Sequence, residues 1–214
     1  MSKRATCDVC QRALSVCLCP HIKQIENRWP IRLLQHPNET KHAIGTAKIV
    51  QLSLTNCQTN ICKEVEPDGE FEQWLEQENP ILIYPGESAE GLNWLQNQPT
   101  RTLLVIDASW RKSRRMLLES PSLQKLQRVC IQPNKPSNYK IRKVPDPSSL
   151  STLEAIVEIL SELEDDQTKY QPLLDAMEWM INKQIESMGE QLFEKNYRKK
   201  RKTNELNRKT TGQL

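Results

Sequence analysis

The sequence predicts an α/β domain built on a mainly parallel sheet. Three observations carry that expectation. Short apolar runs, rich in β-branched residues, recur near residues 31–35, 81–84, 102–106 and 129–132, as strands buried on both faces of a sheet do. Stretches with helical spacing of apolar residues lie between and after them. A length of 214 residues suits one domain of ordinary size with small appendages.

The central strand is the clearest. Thr102 to Ile106 is an unbroken apolar run that stops at Asp107, and Ser109 stands where it can cap a helix starting at Trp110. An acid, a hydroxyl and an indole therefore gather at the carboxyl end of a strand, where open α/β sheets bind ligands. The helix that follows carries Arg111, Lys112, Arg114 and Arg115, a dense positive face. The plainer alternative is that Asp107 and Ser109 only cap, Trp110 only packs and the cations are solvated.

The remaining elements follow in order. Cys7-x-x-Cys10 and Cys17-x-Cys19 set four thiols within thirteen positions, enough to close around one tetrahedral zinc. Such a site has no open position, so its role would be structural or RNA-contacting. A redox Cys-x-x-Cys is the competing reading, but the strand–helix setting of such a pair is missing. Cys57, Cys62 and Cys130 are read as small buried hydrophobes. Ile31 to Gln35 is a first core strand, and His36-Pro37-Asn38-Glu39 follows it, with Pro37 imposing a turn. His36 thus holds the same class of position as Asp107. Gly45-Thr46 opens a helix through Leu54, and Phe71 to Glu78 is a short helix anchored by Phe71, Trp74 and Leu75.

Ile81 to Tyr84 is another strand, ending in Pro85-Gly86, where a bare glycine allows a ligand close approach or simply makes a turn. Leu92, Trp94 and Leu95 belong to a helix or turn before Thr102. After the strand at Val129 to Gln132 comes a long polar loop, residues 133–149, containing Tyr139-Lys140-Ile141-Arg142-Lys143. An aromatic set among cations suits base stacking with phosphate contact, or is a solvated loop. Leu150, Leu153, Ile156, Val157, Leu160 and Leu163 then line one helix face, begun by a capping box at Ser151-x-x-Glu154. Its first turn, at Ser151 and Thr152, could hold a carboxylate. Pro172 to Met188 is the last helix.

Charge is distributed unevenly. From Lys195 to Leu214 eight basic residues stand against Glu205 alone, although the whole chain carries only +3. A basic tail on a slightly acidic body suggests a polyanion partner. No stretch approaches the roughly 18 to 20 apolar residues of a membrane span. The N-terminus lacks the apolar core of a signal peptide, so the protein is expected in the cytoplasm, without membrane or protein partners. Neither a Walker-type loop nor a G-x-G-x-x-G is present.

Six segments in register, over residues 5 to 165, resemble the DTW-domain family of tRNA-uridine aminocarboxypropyltransferases. Asp107-Ala108-Ser109-Trp110 matches its Asp-x-Thr-Trp motif with Ser for Thr. The others are the cysteine cluster with Cys17-Leu18-Cys19, His36-Pro37-Asn38-Glu39, Tyr84-Pro85, Tyr139-Lys140-Ile141-Arg142, and Ser151-Thr152-Leu153-Glu154-Ala155. The resemblance implies a SPOUT-like, knotted domain over residues 29–190, a zinc knuckle over 1–28 and a basic tail over 191–214. It implies transfer of the 3-amino-3-carboxypropyl group of S-adenosylmethionine to N3 of a tRNA uridine, most often position 47, releasing methylthioadenosine. Asp107 would be the general base or orient the uracil edge. Tyr84, Pro85, Gly86, Ser109, Leu150, Ser151, Thr152 and Leu153 would hold the donor. His36, Glu39, Trp110, Arg111, Arg114, Arg115, Tyr139 and Arg142 would meet the RNA. Cys7, Cys10, Cys17 and Cys19 would hold structural zinc. Competing readings are an S-adenosylmethionine-dependent RNA methyltransferase and a non-catalytic zinc-containing RNA-binding module.

Overall fold

A computed structural model describes residues 5–40, 42, 44–131, 137, 150–189 and 192. Among these residues five parallel strands form one sheet: β1 (Ile31–Gln35), β2 (Cys57–Ile61), β3 (Ile81–Ile83), β4 (Leu103–Asp107) and β5 (Arg128–Val129), in the order β2-β1-β4-β3-β5. The α/β class and the parallel sheet expected from the sequence are present. The helices are α1 (Ala47–Ser53), α2 (Glu70–Glu78), α3 (Leu92–Gln96), α4 (Trp110–Glu119), α5 (Pro121–Lys125), α6 (Thr152–Leu163) and α7 (Gln171–Met188).

Alternation along the strands divides the core into two layers. Leu103 and Val105 of β4, with Ile31 and Leu33 of β1 and Ile81 of β3, face α1, α3, α6 and α7. Leu104 and Ile106, with Leu34 and Leu82, face α2, α4 and α5 through Leu75, Met116, Leu117 and Leu123. Every residue of β4 is buried, which is why its sequence is apolar without a polar side. Because Asp107 continues the alternation of Leu103 and Val105, its side chain turns to the α6 layer. So does that of Gln35, which pairs in register with Asp107 across β1 and β4.

The sequence missed β2. As an edge strand with a single neighbour, β1, it reads Cys-Gln-Thr-Asn-Ile and lacks the apolar run that marks a doubly covered strand. Cys57, Cys62 and Cys130 are half-buried rather than buried, because they sit on β2 or just beyond strand ends, where the covering helices stop. The strand expected at 129–132 is shorter and begins at Arg128. Ser109 occupies the N-cap position of α4, yet its side chain makes no capping hydrogen bond. The capping box of α6 is complete: the Ser151 hydroxyl accepts from the Glu154 N–H, and the Ser151 N–H donates to the Glu154 carboxylate at 2.8 Å. Among the described residues no helix is long and apolar enough to cross a membrane.

Candidate functional site

The carboxyl end of β4 is held by residues from two distant parts of the chain, the end of β1 and the start of α6. Asp107 is 7% exposed. One carboxylate oxygen accepts from the Gln35 amide at 2.8 Å, and the other accepts from the Thr152 hydroxyl at 2.6 Å. Its main-chain carbonyl accepts from the His36 N–H at 3.0 Å. The two bonds to the carboxylate are of the charge-assisted kind. They fix the orientation of the carboxylate, and among the described residues no cation is paired to it.

Beside it opens a cleft of about 330 Å³, lined by the ends of β3, β4 and β5 and the starts of α4 and α6. Tyr84, Pro85, Trp110, Leu150, Ser151 and Thr152 all line it. The rings of Tyr84 and Trp110 meet edge to face with centroids 6.0 Å apart, and the Tyr84 hydroxyl lies 3.2 Å from the Ser113 hydroxyl. Trp110 is 38% exposed, so its indole stands at the rim with a face open to a planar group. Apolar walls, two aromatic rings and the first turn of a helix suit a nucleoside with an attached carboxylate. The Ser151 and Thr152 side chains are already engaged by Glu154 and Asp107, so main-chain N–H groups are what that helix start can offer a ligand.

Other expected site residues stand apart from the cleft. Leu153 is fully buried in the core. Gly86 lies outward against Arg128, whose guanidinium is 3.2 Å from where a side chain would begin. Ser109 and the exposed Arg111, Arg114 and Arg115 are not part of the lining, and Arg115 pairs with Glu119 one turn on. Tyr139 and Arg142 lie outside the described residues.

At the end of β1, His36 is 9% exposed and its Nδ1 accepts from the Asn38 N–H at 3.1 Å. Burial, and then the nearby cation of Lys112, hold its pKa below the ordinary histidine value, against a smaller opposing effect of Glu39. Lys112 is bound to Glu39 at 2.9 Å. Lys112, read from the sequence as part of a basic helix face, thus ties α4 to the turn after β1.

The cysteines form the second constellation. Gln11, at φ 58°, turns the first pair back on itself, and an antiparallel bridge between Thr6 and Ala13 closes the loop. Short 3-10 turns at Leu14–Val16 and Cys19–His21 bring in the second pair. The four sulfurs lie within 4.8 Å of one another, with Cys7 to Cys19 and Cys10 to Cys17 both 3.7 Å. Tetrahedral zinc with bonds of about 2.3 Å wants sulfurs about 3.8 Å apart, so the donor set fits. At Cys10 burial opposes ionisation, but the N–H groups of Leu18 and Arg12 and the neighbouring thiols outweigh it and bring the thiol down to about 6. Burial and the other thiols push Cys19 up to about 12. A cation at the centre would remove that competition among like donors. The knuckle is docked on the body: Leu18 and Cys10 enter the main core, and His21 stacks on Trp179 of α7 at 4.0 Å.

Residues 4–185 match the model of the DTW domain. This chain belongs to the DTW-domain family. It is similar to tRNA-uridine aminocarboxypropyltransferase 2 of Drosophila melanogaster, at 27% identity over 87% of this chain and 77% of that protein. The mouse protein of the same name is 24% identical over 91% of this chain and 68% of its own length. Arabidopsis thaliana tRNA-uridine aminocarboxypropyltransferase A is 24% identical over 77% and 74%. No solved structure matches the chain.

In this DTW domain the residues overlooked in the sequence are Gln35, Ser113 and the pair Cys130 and Ile131, which line the cleft or hold what lines it. A polar residue on the inward-facing row of Ile31 and Leu33 was the available signal for Gln35. Nothing in the sequence signalled Ser113, which reads as one more polar residue of a basic helix.

Proposed function

We propose that this protein transfers the 3-amino-3-carboxypropyl group of S-adenosylmethionine to N3 of a uridine in tRNA, most often position 47, releasing methylthioadenosine. Its membership of the DTW-domain family, together with an apolar and aromatic cleft beside an oriented carboxylate, is the observation that carries this reading. The parallel sheet with β4 between β1 and β3, and β5 beyond β3, supports a SPOUT-like domain over residues 29–190, with the knuckle over 1–28 and the basic tail over 191–214 as its appendages.

S-adenosylmethionine supplies an electrophilic carbon on sulfur, and sulfonium makes three carbons electrophilic, so orientation selects the group that moves. Main chain around Tyr84 and Pro85 and around Leu150 to Thr152 holds the adenosine, with Gly86, Ser109 and Leu153 supporting these segments from outside the cleft. The first turn of α6, with Arg142, receives the amino acid carboxylate. Trp110 stacks the uracil at the rim of the cleft. Uridine N3 loses a proton as it is alkylated, and Asp107 accepts it or fixes the uracil edge. The two bonds from Gln35 and Thr152 favour the orienting part of that role, since both oxygens already accept. His36 and Glu39 shape the strand end for the acceptor. Arg111, Arg114, Arg115, Tyr139 and the tail grip the RNA, so affinity falls with salt. Cys7, Cys10, Cys17 and Cys19 would hold zinc, which would brace the N-terminal segment and take no part in transfer.

The test is label transfer to tRNA. Donor labelled in the carboxyl carbon marks the tRNA, while donor labelled in the methyl group leaves its label in methylthioadenosine. Methyl label arriving on the RNA would instead identify a methyltransferase, and absence of donor binding would leave a non-catalytic RNA-binding module.

A further inference from the structure

Two hollows on the surface share Gln11, Thr40, His42 and Lys48 and so form one continuous trough. The larger part, about 750 Å³, runs between the cysteine knuckle and α7, past Arg12 and Lys183. The smaller, about 390 Å³, continues along β1 and β2 past Thr59 to Gln35. We propose that this trough is the track on which the sugar–phosphate backbone of the acceptor RNA lies, a refinement that rests on the RNA-modifying reading above.

The charge of the trough fits a polyanion. Arg12, Lys48 and Lys183 line it, against Glu39, whose carboxylate is bridged by Lys112. Lys183 is paired with Glu186 at 2.7 Å, with both side chains well exposed, and such a surface pair yields readily to a phosphate. Threonine hydroxyls and the amides of Gln11 and Gln51 add neutral groups of the kind that contact phosphate and sugar.

Where the trough ends favours RNA over an acidic protein. Gln35 forms its far wall, and the same side-chain amide donates to Asp107. The other oxygen of Asp107 is bound by Thr152, which lines the cleft on the far side. Cleft and trough are therefore linked through one carboxylate, which Gln35 and Thr152 hold between them. A backbone seated in the trough runs to the sheet edge that carries both this carboxylate and the cleft. The register of β1 on β4 creates this link, because it sets Gln35 beside Asp107.

The experiment uses the full chain carrying Lys48→Gln and Lys183→Gln together, with binding of a tRNA transcript measured across a salt series. Neither side chain is buried, and an unchanged melting temperature and S-adenosylmethionine affinity check that the variant is folded. The expected result is tRNA affinity weakened about tenfold or more, with the slope of log K against log salt reduced by about 1.4 to 1.8, from two lost phosphate contacts. Lys125→Gln, on α5 in the opposite layer, leaves both quantities unchanged. Unaltered affinity and slope in the double variant would overturn the proposal and leave the trough to an acidic protein partner. If the double variant shows the loss while the unsubstituted chain deposits no aminocarboxypropyl group, the transfer reading falls and the RNA track stands.

Discussion

The cysteine knuckle and the carboxyl edge of the sheet are built in opposite ways. Four cysteines within thirteen positions can meet only by local turns, and they do so with sulfurs 3.7 Å apart in two pairs. Asp107 meets Gln35 across 72 positions and Thr152 across 45. The first site depends on short loops and on whatever cation the thiols hold. The second depends on strand register and on the docking of α6. The comparison teaches where damage should appear: at the knuckle in folding, and at the sheet edge in turnover with the fold intact.

The largest expected effect tests the sheet edge. Asp107→Asn should lower product formation, by about 10² to 10⁴-fold if Asp107 takes the proton and by less if it only orients the uracil edge, while calorimetry finds S-adenosylmethionine binding nearly unchanged. Full turnover would remove Asp107 from the chemistry. Thr152→Val deletes one charge-assisted bond to the same carboxylate, worth about 1.5 to 3 kcal/mol. It should therefore slow turnover by a smaller factor and leave binding of donor and tRNA alone.

The knuckle should respond differently. Cys10→Ser removes one of four donors, so bound zinc should fall well below one per chain and the melting temperature should drop. Metal analysis and a thermal melt check both, and a zinc-free protein of unchanged stability would mean the thiols hold the loop unaided. Because Leu18 and Cys10 lie in the main core, that loss should spread to α7 and be visible there as faster hydrogen exchange.

Removing residues 195–214 is expected to weaken tRNA binding several-fold through lost phosphate contacts, with donor binding unaffected. An unchanged tRNA affinity would discard the tail as a contact.

The smallest effect concerns His36. Its pKa lies below the ordinary value in the folded chain, through burial and Lys112, so in acid the unfolded chain binds the extra proton first. Its contribution to stability is therefore complete above about pH 6.5 and declines as pH falls toward the folded-state pKa. The melting temperature should fall over that window, and His36→Gln should flatten the fall. A histidine titration by NMR with an ordinary midpoint would contradict this.

Much of the fold was legible because burial on both faces leaves a mark in the sequence itself. The runs at β1, β3 and β4, and the capping box at Ser151 and Glu154, announce themselves locally. So do the four cysteines, whose spacing alone brings their sulfurs within reach of one cation. β2 was invisible for the converse reason: an edge strand half open to water does not need an apolar run. What tertiary structure alone decided is which distant residues meet. Strand order set β1 beside β4, register set Gln35 opposite Asp107, and packing of α6 on that layer brought the Thr152 hydroxyl to 2.6 Å from the same carboxylate. Local sequence specifies periodicity and turns, which act over a few residues. The pairing of strands 72 positions apart is selected by the burial of the whole sheet, and no short stretch of the chain encodes it.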